Sequence, residues 1–338
     1  MRGEASSDVF KVWLYAAASV FLGAWMTPLF YNAGKALAEV ASAKQTNGPL
    51  EWLAGICRAA EFPRFFEAAL VVAAVVLFVP FMEWLRGGRG GEGRSPWSLR
   101  LPPGARVVDA GQPLRRNSRG SRQFATGFLL ASGWFVLLAA ALAAAGVFDW
   151  NAPAEGLSRV IVKSLGLALG LALFQEILFR GIAMGIFLRA MRPTAALGMS
   201  AVLFAAVHFI VPPPGLTVPD PEAAGVGFAL LRKIGGQFLE PGVVLGVITP
   251  LLAIGCVLGY ARWRTASLHL PVGLHAGWIF VTGVLAEISA GPSRPDAVIQ
   301  VIAGRSLDQG LVALAGIVVA GVLAIHLTSD GHASDTPA

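Results

Sequence analysis

Eight apolar stretches recur along the chain, near 12–31, 66–85, 124–148, 160–187, 194–211, 241–261, 267–287 and 310–327. Each comes close to the ~20 residues a helix needs to cross the hydrocarbon core of a bilayer. Lipid offers no partner to a backbone N–H or C=O, so a crossing segment satisfies them internally, as a helix or within a closed barrel. The stretches lack the apolar–polar alternation of barrel strands. The expected fold is therefore all-α, a polytopic membrane helix bundle of about eight transmembrane helices. Charged residues make up only 14% of the chain, against about 25% in soluble proteins, too few to face water on every side. The first stretch, preceded by Arg2 and Lys11, is too long for a signal-peptide core and reads as an uncleaved first span.

Arginine sets the orientation. The segment 86–123 holds Arg86, Arg89, Arg94, Arg100, Arg106, Arg115, Arg116, Arg119 and Arg122 against Glu92 and Asp109. With that segment cytoplasmic, Arg189, Arg192, Arg262 and Arg264 fall on the same side, as basic residues prefer. Both termini are then cytoplasmic, in a chain of the cell inner (plasma) membrane whose Arg, Ala and Gly usage looks bacterial. Three regions follow: 1–123, two N-terminal spans and the Arg-rich cytoplasmic loop; 124–287, a central core; and 288–338, the last span with a polar tail. The net charge of +6 arises mostly in that one loop, and no aromatic-interleaved basic groove accompanies it, so nucleic acid is not an expected partner. Cys57 and Cys256 form neither a disulfide framework nor a cysteine metal site.

Ionisable side chains inside spans are costly, so each one marks a candidate site. The fourth span carries Gln175, Glu176 and Arg180, the last two four residues apart on one helical face. The fifth carries His208 and the seventh His275. Counted at ~1.5 Å per residue from the cytoplasmic ends, Glu176, His208 and His275 lie roughly 17, 21 and 12 Å deep. Three helices thus bring polar groups to a similar level. A carboxylate beside an imidazole can deprotonate water, and a second imidazole can serve an oxyanion or a leaving group. The chemistry these residue types permit is hydrolysis. Gly166 and Gly170 have the small-xxx-small spacing of close helix packing.

At these residues the chain resembles the intramembrane protease family of CAAX-prenyl endopeptidases and bacteriocin-processing or self-immunity proteins. The family's motifs are Glu-Glu-x-x-x-Arg, usually followed by Gly, then Phe-x-x-x-His, then His-x-x-x-Asn/Asp. Here they read Gln175-Glu176-x-x-x-Arg180-Gly181, Phe204-x-x-x-His208 and His275-x-x-x-Ile279. The resemblance implies an intramembrane endopeptidase that hydrolyses peptide bonds of membrane-associated, CAAX-type substrates. His208 would position the water and His275 hold the oxyanion. Gln175 replaces the usual base, whose role would pass to Glu176. Ile279 replaces the residue that assists the oxyanion, leaving Trp278 and Thr282 as the nearest polar side chains.

The expected partners are a membrane-anchored peptide or protein and the lipid bilayer. No cofactor is expected; the alternative is zinc held by Glu176, His208 and His275 with one position open to water. Two other functions compete. One is a catalytically silent relative acting as a membrane binding or immunity protein, supported by Gln175 and Ile279. The other is a proton-coupled transporter, against which stand the missing internal repeats and a single candidate helix break at Pro250.

Overall fold

The structure, a computed structural model, describes residues 2–44, 47–87, 118–151, 153, 156–210, 212, 216–292 and 309–329. Most of the Arg-rich segment and the polar C-terminal tail lie outside these residues. The fold is all-α: the elements are α1 (Arg2–Ala43), α2 (Pro49–Ala59), α3 (Phe62–Gly87), α4 (Gly120–Ala144), α5 (Leu157–Glu176), α6 (Met184–Ala190), α7 (Pro193–Phe209), α8 (Val226–Gly236), α9 (Pro241–Val243), α10 (Thr249–Thr265), α11 (His269–Ile288) and α12 (Gly310–Ser329). The chain joins α5 to α6 through a π-helical turn, Ile177–Ala183, and α9 to α10 through another, Val244–Ile248.

All eight apolar stretches are helical. Seven of the helices are long and apolar enough to cross a membrane, α5 to α6 and α9 to α10 each counting as one. The fifth, α7, has 17 residues, about 25 Å at 1.5 Å per residue, and falls short of a full crossing. The one strand pairing among the described residues is a short antiparallel ladder of β1 (Phe148–Trp150) with β2 (Ser289–Pro292), closed by Asn151 N–H donating to Ile288 C=O at 2.8 Å.

The chain divides into two compact units. In the first, α11 is the central post, its side chains buried without interruption from Leu270 to Trp278. Glycines let α4 approach it: a Cβ on Gly273 would overlap the Phe124 carbonyl, and one on Gly277 would lie 2.6 Å from the Phe128 carbonyl. From α4, Gly127 answers with its own would-be Cβ 2.9 Å from the Leu274 nitrogen, and Ser132 Oγ donates to Gly277 C=O at 3.2 Å. Residues 273 and 277 are one turn apart on one face, as in small-xxx-small contacts. Around this pair, Ala131, Phe135, Leu258, Leu274, Trp278 and Ile317 pack into the main apolar core.

Helix α5 is buried only along Val160, Ser164, Ala168, Ala172 and Glu176, every fourth residue. Gly166 and Gly170 are not in that stripe, and their would-be Cβ atoms meet nothing within 4 Å. Close packing falls instead to Ala172, which meets Val272 and Ala276 of α11. Helices α7 and α10 touch through Gly255, where a Cβ would lie 2.7 Å from Ala201 Cα, and through Gly259 against Leu197.

The second unit is built from α1, α2, α3 and α8. Tyr15 stacks on Phe81 with ring centres 4.4 Å apart and donates its hydroxyl to Ala74 C=O at 2.7 Å. Lys35 Nζ donates to the carbonyls of Cys57 and Ala60 at 3.2 and 2.8 Å, a cation at the C-terminus of α2 where the helix dipole favours it. Gly227 of α8 is seated on the Ala24 carbonyl of α1.

Candidate active site

Glu176 is the last α-helical residue of α5, and the backbone then widens into the π turn, whose Met184 N–H reaches Phe179 C=O five residues back. Such turns interrupt α-helices frequently at functional sites. Arg180, inside the turn, donates from Nη1 to Glu176 Oε1 at 3.0 Å, and both side chains are wholly buried. Its Nη2 donates to Gly255 C=O at 3.3 Å. That carbonyl lies on the glycine where α10 and α7 pack closely, so one small residue both seats α7 and binds the arginine.

His275 faces away from the Gly273/Gly277 side of α11. Its Nδ1 donates to the same Glu176 Oε1 at 2.7 Å. One carboxylate oxygen therefore receives an arginine and a histidine from two helices. The other oxygen, Oε2, has no partner among the described residues.

His208 is approached from α7. Its Nδ1 lies 2.8 Å from Phe204 C=O, which accepts the ring proton. Its Nε2 lies 3.4 Å from Gln175 Oε1. Phe204 is the surface on which the cluster is built: its ring stacks under His208 with centres 3.9 Å apart, lies 5.7 Å from His275 and carries the Arg180 guanidinium 4.4 Å above it. The His208 and His275 rings are 6.4 Å apart, centre to centre.

The five residues singled out in the sequence, Gln175, Glu176, Arg180, His208 and His275, thus lie in one cluster. Phe204 as a platform and the Gly255 carbonyl were not singled out as site groups. The Phe-x-x-x-His spacing placed Phe204 one turn from His208, whereas the carbonyl left no mark in the sequence. Ile279 packs with Ala172, Val272 and Ala276. Thr282 Oγ1 donates to its own helix at Trp278 C=O, 2.8 Å away, and Trp278 belongs to the main apolar core. Neither Thr282 nor Trp278 is placed as the polar group absent at 279.

Glu176 Oε1 is taken by Arg180 and His275, His208 is directed to Phe204 and Gln175, and no three His, Cys, Asp or Glu side chains among the described residues are grouped to hold a metal ion.

No curated protein matches the chain, and no solved structure matches it. Residues 157–281 match the family described as type II CAAX prenyl endopeptidase Rce1-like. The matched segment contains every residue of the cluster and runs from α5 into α11, while α1–α4 and α12 lie outside it. Seven helices among the described residues are fit to cross a bilayer, which makes this a multi-pass membrane protein whose residues 157–281 are similar to the Rce1-like type II CAAX prenyl endopeptidases.

Proposed function

We propose that the chain is an intramembrane endopeptidase whose water is activated by His275 backed by Glu176. The observation that carries this reading is the 2.7 Å contact between His275 Nδ1 and Glu176 Oε1. A carboxylate that accepts from one imidazole nitrogen leaves a lone pair on the other and stabilises the imidazolium formed when that nitrogen takes a proton. Arg180 holds the carboxylate from behind. Glu176 is then the orienting acid rather than the direct base, and His275 takes the base role instead of the oxyanion role.

His275 Nε2 removes a proton from water as the hydroxide adds to the scissile carbonyl carbon, giving a tetrahedral oxyanion. The imidazolium returns that proton to the amide nitrogen, the C–N bond breaks, and the remaining hydroxyl proton passes to the departing amine, so that a carboxylate and an ammonium group leave. His208 stands across from the base, its ring centre 6.4 Å from that of His275. No step requires a metal. The substrate is a membrane-associated protein or peptide of CAAX type, cleaved near the cytoplasmic face of the inner membrane, with both termini of the enzyme cytoplasmic.

The test is cleavage of a membrane-anchored peptide library by the purified full chain beside Glu176→Gln, His208→Ala and His275→Ala. Loss in Glu176→Gln and His275→Ala, with folding kept and strong chelators without effect, supports the reading; chelator-sensitive cleavage removes the metal-free mechanism. Cleavage by either variant at the wild-type rate overturns it. The substitutions at 175 and 279 favour a second reading, a silent relative that binds a membrane partner, and a wild type that cleaves nothing would bring it forward.

A further inference from the structure

An endopeptidase needs hydrogen-bond donors where the oxyanion develops, and the α11 turn after His275 supplies none. Ile279 is apolar, the Thr282 hydroxyl is spent on Trp278 C=O, and the Trp278 indole, its Nε1 without a partner among the described residues, is packed within the apolar core. If His275 is the base, its Nε2 is an acceptor when the oxyanion begins to form. His208 is no better placed as a donor. The Phe204 carbonyl can only accept, so His208 Nδ1 bears the hydrogen, and Nε2 of the neutral ring carries a lone pair.

Gln175 is the side chain facing that lone pair, with Oε1 the amide end placed 3.4 Å away. The two ends of a glutamine amide have the same shape, and the hydrogen-bond network decides which is which. An acceptor at His208 Nε2 requires the N–H end of the amide. Gln175 is half-buried, and its NH2 carries two hydrogens. One is held by His208; the other is left for a ligand oxygen.

We infer that Gln175 is a catalytic residue, the amide donor that binds the developing oxyanion, with His208 as the positioning residue that aims it. This rests on the endopeptidase reading above. The glutamine is then not a disabled base. It supplies the donor absent at 279, while Glu176 and His275 supply the base absent at 175. A glutamate at 175 would set a second carboxylate beside Glu176 and present no donor unless protonated.

The experiment compares kcat, KM and melting temperature of the full chain with Gln175→Met and Gln175→Glu, on a membrane-anchored peptide cleaved by wild type, across pH. Methionine keeps the length without the donor. The expected loss in kcat is about 10²–10³-fold, as for removal of one oxyanion donor elsewhere, with KM nearly unchanged. Gln175→Glu is also expected to lose activity at neutral pH. Its rate relative to wild type should rise as pH falls, because a protonated carboxyl regains an O–H donor. Taking the ratio cancels titration shared by both proteins, at His208, His275, Glu176 and Arg180, and at Cys256, which faces Arg180 from α10. A Gln175→Met enzyme within three-fold of wild type overturns the inference. So does a Gln175→Glu enzyme faster than wild type with a ratio rising with pH, since that makes 175 the base position. If Gln175→Met does not fold, the pH trend of Gln175→Glu decides alone. Should His275→Ala or Glu176→Gln retain activity while Gln175→Met loses it, the endopeptidase base is misassigned and the donor stands. A wild type that cleaves no peptide overturns both.

Discussion

The guanidinium of Arg180 lies 4.4 Å above the ring centre of Phe204, and the same ring stacks with the imidazole of His208, centres 3.9 Å apart. Phe204 is therefore the common support of a cation bound to Glu176 and of a histidine on another helix. Phe204→Leu keeps an apolar filling but removes the flat π surface, which is worth about 2 kcal/mol or more to a desolvated cation. Peptide cleavage is expected to fall at least ten-fold while the melting temperature drops only modestly. Activity equal to wild type would show that stacking does not hold His208.

Arg180→Ala leaves the Glu176 carboxylate buried with one polar partner fewer. Removing one member of a buried pair costs about 3–5 kcal/mol, and thermal unfolding in detergent should show it. Arg180→Lys is expected to recover little, because a single ammonium cannot reproduce a planar fork that meets both Glu176 and the Gly255 carbonyl. Full recovery by lysine would reduce the arginine to a point charge.

Two pairs of glycines should respond in opposite directions. Gly273→Ala and Gly277→Ala push a Cβ into the α4 backbone, and overpacking of this kind costs about 1–3 kcal/mol; cleavage should fall as His275 moves with its helix. Gly166→Ala and Gly170→Ala add a methyl to open space and raise helix propensity by up to about 1 kcal/mol each. Melting temperatures of the four variants separate the two classes, and destabilisation by Gly170→Ala would mean that a partner covers α5.

Ser200 is wholly buried and its Oγ has no partner among the described residues. It lies two turns from His208 on α7. A buried hydroxyl without a partner costs about 1–3 kcal/mol, so Ser200→Ala should leave stability unchanged or raise it, with cleavage unaltered. Lost cleavage would place the hydroxyl in the reaction.

The eight apolar stretches were legible because lipid admits so few backbone solutions, and their observed limits differ from the expected ones by a few residues in most cases. Two features were not. Helices α2 and α8 lie in connections with no run long enough to register as a span. The π turn after Glu176 has no compositional signature, since Ile177-Leu178-Phe179-Arg180 reads as ordinary helix. Within the site, the spacing of Glu176 and Arg180 announced their pairing, and the structure adds His275 to the same oxygen. The assignment of Gly166 and Gly170 to close packing failed because spacing gives the period of a face but not which face meets a neighbour. Every fourth residue of α5 has a period too, and Ala168 and Ala172 belong to the one that is buried.

The two histidines and the acid are fastened to supports of unequal stiffness. Helix α11 is locked on several sides, whereas α5, which carries Gln175 and Glu176, is buried along one narrow line and is otherwise largely exposed. Lateral pressure and bilayer thickness therefore act on the acid through α5 far more than on His275. The reaction rate of this chain becomes a reporter of its lipid surroundings, and detergents that leave the protein equally well folded should still rank differently by turnover.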